Sequence, residues 1–391
     1  MSNNRILFVT SRNILTTSGE LRLIKNRAEA LFRHYNISTD FLVWQNNIRI
    51  NSTNKENISA GGMLYCIRFS TLHICHSYHD LKKQLSALLS SGNYTTVILS
   101  GFAMSILTKY VQLKFQKKVG IDIHGASEDV IELTRDSSLI SKLKSRLIFT
   151  IDYFLLKRNV KKADYCFVVT KELRDYVQQR FHTTNRTSFI IAPCATDGQS
   201  FDKETYIKNR KEYREKYGLD DQTPVFVYSG GVSKWQCIEE TLQLYNQISQ
   251  HIPNSRLLVF SHRVDYIKTF TNQSDIIFDS YSPNELEKAL CAADYAFLLR
   301  KDCVTNNVAF PNKYLEYVKS GLYIISTPYL REIADQIKKY KIGYLYDMNN
   351  NIDNLVKNIN STEHQVEPNT INQVLDLNGF ERTLIPLKDG F

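Results

Sequence analysis

The sequence has no long apolar run. None of the runs in its 391 residues approaches the roughly 18 residues that a membrane-spanning helix needs, so we expect no span. The first apolar run, Ile6–Thr10, is too short for a signal peptide and lacks a small-residue cleavage site. The sequence therefore predicts a chain that neither crosses a membrane nor carries a secretory leader.

Cysteine is also scarce. The seven cysteines are odd in number, scattered, and without a Cys-x-x-Cys pair. Reduced thiols in a cytoplasmic protein are the simplest account. Three histidines, His73, His76 and His79, recur at intervals of three, but on a helix that spacing drifts by about 60° per step. They also precede the helix that we expect to begin near Asp80, so we expect no metal site.

Charge leaves several classes of partner open. The formal charge of +9 favours anionic lipid, nucleic acid or phosphorylated substrates, and a surface with some excess lysine would give the same value. The basic residues form no stripe with interleaved aromatics, so we do not expect nucleic acid as a partner. Hydrophobic residues make up 43% and charged residues 23% of the chain, which is typical of a globular protein.

Short apolar runs alternate with helical stretches along the whole chain. Strands separated by helices of 10–15 residues indicate βαβ crossovers and a parallel sheet. The predicted strands of the first half are Ile6–Val9, Asp40–Val43, Met63–Phe69, Val97–Ser100, Val119–Ile123, Cys166–Val169 and Ser188–Ala192. Those of the second half are Val225–Tyr228, Arg256–Phe260, Ile276–Phe278, Tyr295–Leu299, Tyr323–Ser326 and Gly343–Tyr346.

This length and rhythm predict an α/β protein of two Rossmann-like domains with parallel sheets that face one cleft. The turn-rich segment Pro193–Phe201 separates the two halves. We therefore expect a first domain over residues 1–195, a second over 196–374 and a terminal segment over 375–391.

One segment, Phe310–Ile325, carries the strongest chemical signal. A loop with Pro311 opens a short helix, Gly321 closes it, and an apolar run follows. Lys313 and Glu316 stand three residues apart in the opening turns. Loop amides and the helix N-terminus can hold phosphate, Lys313 can neutralise it, and Glu316 can accept hydrogen bonds from sugar hydroxyls. This grouping suits a nucleotide-sugar better than a protein partner.

The same segment closely resembles the donor site of the family 4 glycosyltransferases, which are group 1 glycosyltransferases with the GT-B fold. Further segments resemble the family in order and spacing, and together they cover most of the chain: Ala163–Leu173, Ile190–Asp197, Val227–Gly231 with Trp235, and Ala293–Arg300. The resemblance implies that the terminal segment crosses back to the first domain.

The resemblance assigns Glu316 to the nucleotide ribose, as the second glutamate of a Glu-x7-Glu pair, and places Asn312 in the same donor site. Val308 stands where the first glutamate, which engages the transferred sugar, is expected. Sugar recognition must then use other groups, such as backbone amides around Asn307–Phe310.

Two cations are candidate catalytic residues. Lys313 and Arg300 could stabilise the charge that develops on a leaving diphosphate. A surface ion pair is the alternative for Arg300, and a structural role is the alternative for Lys313.

The remaining second-domain candidates surround a glycine turn. Ser229, Gly230 and Gly231 permit close backbone approach to a phosphate, although a plain strand-to-helix turn has the same sequence. Val232 and Gln236 occupy the positions of the family's usual Arg and Lys, and the nearby Lys234 could substitute for them. Tyr281 lies where the family's loop flanks the nucleobase, and a core or surface tyrosine is the alternative.

In the first domain, Gly19 sits where the family's glycine loop approaches donor phosphate and acceptor. His124 ends a strand at the expected cleft and could bond a sugar hydroxyl or the acceptor. A structural histidine is the alternative, and Glu128 is a candidate to hold either His124 or the acceptor. The segment Leu139–Lys162 is apolar with basic edges and could rest on an anionic membrane or pack as a buried helix.

The resemblance implies a metal-independent, cofactor-free, retaining transferase. Its partners would be a nucleotide-diphosphate sugar and a glycan or lipid-linked acceptor of surface or capsular polysaccharide, at the inner face of the membrane. A GT-B nucleotide-sugar epimerase and a non-catalytic glycan-binding module remain the alternatives.

Overall fold

The computed structural model describes residues 5–12, 19–45, 55–58, 62–70, 72–134, 137–183, 186–193, 200–348, 351–361 and 365–384. The chain divides into two compact units. Unit 1 comprises Met1–Asp197 together with Asn378–Phe391, and unit 2 comprises Gly198–Leu377. None of the described helices is long and apolar enough to cross a membrane.

Unit 1 contains an eight-stranded sheet in the order β3-β4-β2-β1-β5-β6-β7-β8. Its strands are β1 Arg5–Thr10, β2 Ser38–Trp44, β3 Lys55–Ile58, β4 Gly62–Ile67, β5 Tyr94–Ser100, β6 Lys118–Asp122, β7 Tyr165–Val168 and β8 Ser188–Ile191. The helices before the boundary are α1 Gly19–Tyr35, α2 Ile74–Ser91, α3 Gly101–Ser105, α4 Thr108–Phe115, α5 Asp129–Leu133, α6 Leu139–Val160 and α7 Lys171–Phe181.

The unit 1 sheet differs from the prediction at one edge. All its pairings are parallel except that of β3, which runs antiparallel to β4. The sequence of β3, Lys-Glu-Asn-Ile, has a single apolar residue and no alternation of apolar and polar residues, so strand periodicity could not reveal it.

Helix α2 also differs, because it begins at Ile74 and not near Asp80. His73 is its N-cap residue. The Nε2 atom of His76 lies 3.6 Å from Oδ2 of Asp80, one turn further along the helix. The buried positions Leu81, Leu85, Leu88 and Leu89 mark only the later turns as amphipathic, which is why the sequence pattern missed the first turn.

Unit 2 contains a six-stranded, fully parallel sheet in the order β11-β10-β9-β12-β13-β14. Its strands are β9 Val225–Ser229, β10 Arg256–Phe260, β11 Ile276–Asp279, β12 Tyr295–Leu298, β13 Tyr323–Ser326 and β14 Gly343–Leu345. Its helices are α8 Lys203–Lys216, α9 Ile238–His251, α10 Val264–Lys268, α11 Pro283–Leu290, α12 Val304–Asn307, α13 Lys313–Lys319, α14 Arg331–Tyr340, α15 Asp353–Ser361 and α16 Pro368–Asn378. The last helix, α17 Phe380–Thr383, packs against α1 within unit 1.

A buried carboxylate fastens α8 to the unit 2 sheet. Asp294, which precedes β12, accepts a hydrogen bond from Arg210 at 2.6 Å and one from Arg214 at 2.9 Å. It also accepts one from the backbone N–H of Val225 at 2.8 Å. With its charge paired and its oxygens bonded, Asp294 can be fully buried.

The strand orders locate a switch point in each sheet. In unit 1, β1 lies between β2 and β5, and in unit 2, β9 lies between β10 and β12. Ligands of such sheets bind at the carboxyl ends of the strands where the order reverses. In unit 2 a ligand is therefore expected beside the segments that follow β9 and β12.

Candidate functional site

The turn after β9 requires a glycine. Gly230 has a φ of +140°, a conformation that side chains other than glycine's rarely adopt, and its N–H donates to the Phe260 carbonyl at 2.8 Å. A Cβ at Gly230 would lie 1.7 Å from the Nζ atom of Lys313. The absent side chain is therefore what lets the lysine amine reach this turn.

The amine of Lys313 is buried without a hydrogen-bond partner among the described residues. It lies 5.0 Å from the ring centroid of Tyr228, which a cation can approach favourably. Burial and the neighbouring charge of Arg300 lower the pKa of Lys313 to about 7, although Glu316 acts in the opposite direction. A buried amine without an acceptor is the arrangement expected of a group that meets an anion.

Arg300 follows β12 and is 5% exposed. Its Nη1 donates to the Leu299 carbonyl at 2.7 Å, and its backbone is held by the Thr327 hydroxyl at 2.8–3.0 Å. No carboxylate in the described ranges forms an ion pair with Arg300 or Lys313. Burial lowers the pKa of Arg300, but a guanidinium stays charged near neutrality. The surface ion pair that was the alternative for Arg300 is absent from the described structure.

Two tyrosines hold the glycine turn and α13 together. The Tyr317 hydroxyl accepts a hydrogen bond from the Ser229 N–H at 3.0 Å and lies 3.1 Å from the Ser229 hydroxyl. The Tyr228 hydroxyl donates to the Gly231 carbonyl at 2.6 Å and lies 3.2 Å from Gln236 Oε1. Sequence reasoning missed both tyrosines. The spacing of Tyr317, four residues after Lys313, was an available signal because such residues share a helix face.

The other residues of the predicted donor motif lie on or beside α13. Glu316 is half-buried one turn after Lys313, and its backbone N–H donates to the Asn312 carbonyl at 3.3 Å. The influence of Glu316 on the pKa of Lys313 shows that its carboxylate is near the amine. Lys234 is exposed on a short 3-10 turn, Lys234–Gln236, that follows the glycine turn.

Val308 is 5% exposed at the end of α12, so its side chain is buried. The loop around it is ordered by amide side chains. Asn306 donates to the Lys301 carbonyl at 2.9 Å, and Asn307 donates to Asp302 Oδ1 at 3.1 Å. A buried valine offers no polar atom, so any hydroxyl that this loop recognises must be bound by neighbouring groups.

Tyr281 belongs to a separate polar cluster beside β11. Its hydroxyl donates to Asp279 at 2.6 Å, accepts from Lys216 at 2.6 Å and also meets the Tyr217 hydroxyl. Burial acts to raise the pKa of Asp279, but the hydrogen bonds from Tyr281 and Lys216 outweigh it and bring the pKa to about 2. The Tyr281 ring packs edge-on against Phe260 at 5.2 Å, so its assignment to the nucleobase stays a prediction.

In unit 1, Gly19 begins α1 and His124 follows β6. His124 Nε2 lies 2.7 Å from Asp122, which is fully buried and also accepts from Arg27 Nη1 at 2.8 Å. Burial acts to raise the pKa of Asp122, but His124 and Arg27 lower it to about 2. Arg27 also donates to the Ala192 carbonyl. Sequence reasoning missed Asp122 and Arg27 as the groups that orient His124.

The carboxylate of Glu128 bonds residues of α7 and not His124. Its carboxylate accepts from the Tyr176 hydroxyl and lies 3.3 Å from Arg180. Both partners of Glu128 are on α7, whereas Asp122 takes the position beside His124. The buried Asp152 is a further carboxylate nearby, and burial raises its pKa to about 6.

The Asp122 cluster gives a stability prediction. Asp122→Asn would leave Arg27 with a buried charge and no anion, so we expect unfolding free energy to fall by about 3–5 kcal/mol at pH 7. Because the folded pKa of Asp122 is lowered, its contribution is present above about pH 4 and is lost as pH falls towards 2. Denaturant unfolding at pH 7 and at low pH tests this, with Asp175→Asn as a matched control, because Asp175 is only half-buried and also pairs with an arginine, Arg174. A loss that is equal at both pH values would contradict it.

Within the described ranges no group of three or more His, Cys, Asp or Glu side chains could hold a metal ion. The predicted site residues instead form two sets. Ser229–Gly231, Arg300, Lys313 and Glu316 come together in unit 2, whereas Gly19 and His124 belong to unit 1.

Two Rossmann-like α/β units of this topology are the fold of the GT-B glycosyltransferases, and the fold class predicted from the sequence is confirmed. Residues 209–370 match the family model described as "Glycosyl transferases group 1". That match lies within unit 2 and contains the glycine turn, Arg300 and α13. No curated protein matches the sequence.

Three solved structures illustrate the likeness. The sucrose-phosphate synthase of Thermosynechococcus elongatus is 13% identical, with a TM-score of 0.73 over 99% of this chain and 98% of that one. HepE of Anabaena in complex with UDP is 10% identical, with a TM-score of 0.66 over 99% of this chain and 100% of that one. WaaG, a glycosyltransferase involved in lipopolysaccharide biosynthesis, is 11% identical, with a TM-score of 0.61 over 98% of both chains.

Proposed function

We propose that this protein is a retaining glycosyltransferase of the family 4 type, a hexosyltransferase that uses a nucleotide-diphosphate sugar. Its acceptor is a glycan or a lipid-linked glycan of surface or capsular polysaccharide. It works without a metal or cofactor, in the cytoplasm at the inner face of the membrane.

One observation carries the proposal. The amine of Lys313 and the guanidinium of Arg300 are buried beside the glycine turn, and no described carboxylate forms an ion pair with either. Because burial without an ion-pair partner disfavours the charged form of such groups, a ligand that supplies negative charge would complete the site. A diphosphate has the charge and the oxygen atoms for this purpose.

Comparison with known proteins supports the same ligand class. The group 1 glycosyltransferase match covers the residues of this site, and the HepE structure is a complex with UDP. The involvement of WaaG in lipopolysaccharide biosynthesis supports, by analogy of fold alone, a surface-glycan acceptor.

The site residues suit the chemistry of transfer. When the bond between the anomeric carbon and the diphosphate oxygen breaks, Lys313 and Arg300 stabilise the leaving oxygens. The acceptor hydroxyl forms the new bond to the anomeric carbon, and its proton passes to the leaving phosphate. Glu316 binds the ribose, and His124, oriented by Asp122, bonds a hydroxyl of the sugar or acceptor.

The test is a panel of nucleotide-sugars incubated with the purified protein. We expect slow nucleotide release with one donor, faster release when an acceptor is added, and tight binding of the nucleotide alone. Glu316→Ala should weaken nucleotide binding by about tenfold or more, because a charge-assisted hydrogen bond contributes about 1.5–3 kcal/mol. Calorimetric titration measures this.

Glu212→Ala is the matched control, because Glu212 is an exposed carboxylate on α8. Interconversion of the sugar without release would identify an epimerase. Absence of nucleotide binding, or binding that Glu316→Ala leaves unchanged, would overturn the donor-site assignment and favour a non-catalytic module.

A further inference from the structure

The outward side of α6 is apolar. Five side chains on it are 44–80% exposed, and we call them the outer face of α6: Ile140, Leu143, Leu147, Ile151 and Phe154. Their spacing of three, four, four and three residues places them along one side of the 22-residue helix. The alternative of a wholly buried helix is wrong, because these side chains are in contact with solvent.

The inward side of the same helix is mixed in polarity. Its buried residues are Ser145, Asp152, Leu156, Asn159 and Val160, and the Asn159 amide donates to the Ser105 hydroxyl at 3.1 Å. A surface helix of a globular protein normally keeps its large apolar residues on the side towards the core and polar residues on the other. Helix α6 instead has five large apolar residues on its outward side while three of its five buried positions are polar, which indicates that the outer face has a partner of its own.

Positive charge borders the outer face. The only acidic residue of α6, Asp152, is buried. The helix carries five basic residues: Lys142, Lys144, Arg146, Lys157 and Arg158. Within the part of the chain that the structure describes, no carboxylate forms an ion pair with Lys144, Arg146 or Arg158.

At the end of α6 three cations lie together. Burial and the like charges of Lys109 and Arg158 lower the pKa of the Lys162 amine. Leu113, on the adjoining helix α4, is 79% exposed close to this cluster, since Gln112 bonds the Lys162 carbonyl at 2.8 Å. Unpaired like charges held together beside exposed apolar groups suit anionic headgroups above acyl chains.

We propose that the outer face of α6, with its basic border, docks on the surface of an anionic lipid bilayer. The apolar side chains enter the boundary between headgroups and acyl chains, and the cations pair with lipid phosphates. A second copy of the chain fits less well, because a two-fold contact along α6 would bring one basic border against another. This inference deepens the proposed function, since it names the surface through which a lipid-linked acceptor would be reached.

Vesicle flotation of the full-length protein tests the proposal. One set of vesicles contains phosphatidylcholine alone, and the other contains equal parts of phosphatidylcholine and phosphatidylglycerol. We expect binding to the anionic vesicles that weakens at high salt. Leu147→Ser with Ile151→Ser should weaken it at least about tenfold, and each of Lys144→Gln and Arg158→Gln by about fivefold.

Ile207→Ser on α8 of unit 2 is the matched control, because Ile207 is also an exposed apolar helix residue, and it should bind vesicles like the wild type. Equal binding to both vesicle types, or binding that the outer-face variants retain, would overturn the proposal. So would a dimer in size-exclusion chromatography that the same variants dissociate.

Nucleotide binding by each variant, measured without vesicles, distinguishes failure of the proposed transferase function from failure of the proposed membrane surface. Outer-face variants should bind nucleotide normally. A protein that binds anionic vesicles but no nucleotide would contradict the proposed function alone, and the reverse result would contradict only the membrane surface.

Discussion

Lys313→Met is expected to weaken binding of a nucleoside diphosphate, with UDP as the probe, by about 10- to 100-fold and, in the same protein, to raise the temperature of unfolding. The affinity falls because one charge-assisted hydrogen bond to the diphosphate, contributing about 1.5–3 kcal/mol, is removed. The stability rises because methionine fills a similar volume without a buried amine that lacks an acceptor. Calorimetric titration and thermal unfolding without ligand measure the two effects.

Lys319→Met is the matched control. Lys319 lies at the opposite end of α13 and pairs with Glu287, away from the glycine turn. We expect it to leave UDP binding unchanged. If Lys313→Met bound UDP normally, or lost stability along with affinity, Lys313 would be a structural residue and the site would lose its principal cation.

Binding of UDP should also take up a proton. The pKa of Lys313 is about 7 without ligand because the amine is buried beside Arg300, with the Tyr228 ring and Glu316 as its other neighbours. A bound diphosphate favours the charged amine and raises this pKa. At pH 8 we therefore expect an uptake that approaches one proton per nucleotide, and an affinity that falls as pH rises further.

The lowered pKa of Lys313 also determines how the stability of the unliganded protein changes with pH. A folded pKa below the unfolded value of about 10.4 means that the unfolded chain binds more protons between about pH 7 and 10. The unliganded protein should accordingly become more stable as pH rises through that range, while its affinity for UDP declines.

Calorimetry in two buffers of different ionisation enthalpy counts the protons. At pH 8 the terminal phosphate of the nucleotide, with a pKa of about 6, is already ionised and contributes little. The uptake should disappear in Lys313→Met. An equal uptake in that variant, or none in the wild type, would show that Lys313 does not change its protonation on binding.

The sequence was sufficient for the sheet cores and for part of the site. Apolar runs such as Arg256–Phe260 are buried on both faces of a parallel sheet, so their pattern is strong. Arg300, Lys313 and Glu316 followed from the Phe310–Ile325 segment and the strand segment that precedes it. Tyr228, the neighbour of Lys313, and Asp122, the partner of His124, were not predicted, because strand pairing and side-chain direction bring them to those residues.

The orientation of α6 could not be predicted from the sequence. Its composition fits a buried helix and a membrane-facing helix equally well, because the sequence does not show which side of the helix packs against the rest of unit 1. The buried residues of α6 decide which side meets the unit, and the amide of one of them, Asn159, bonds Ser105, which is distant in sequence. The first turn of α2 gave no amphipathic pattern, because Ile74, Cys75 and His76 are exposed there and the buried residue is the polar Ser77.

The two adjacent glycines after β9 are under unequal structural constraint. Gly230 is restricted twice, by its backbone conformation and by the amine of Lys313, so no other residue satisfies both conditions. At Gly231 a Cβ would lie 3.1 Å from Gln236 Oε1, the end of a side chain that can move. A substitution by alanine is therefore expected to be tolerated at Gly231 but not at Gly230, where it would displace the lysine amine.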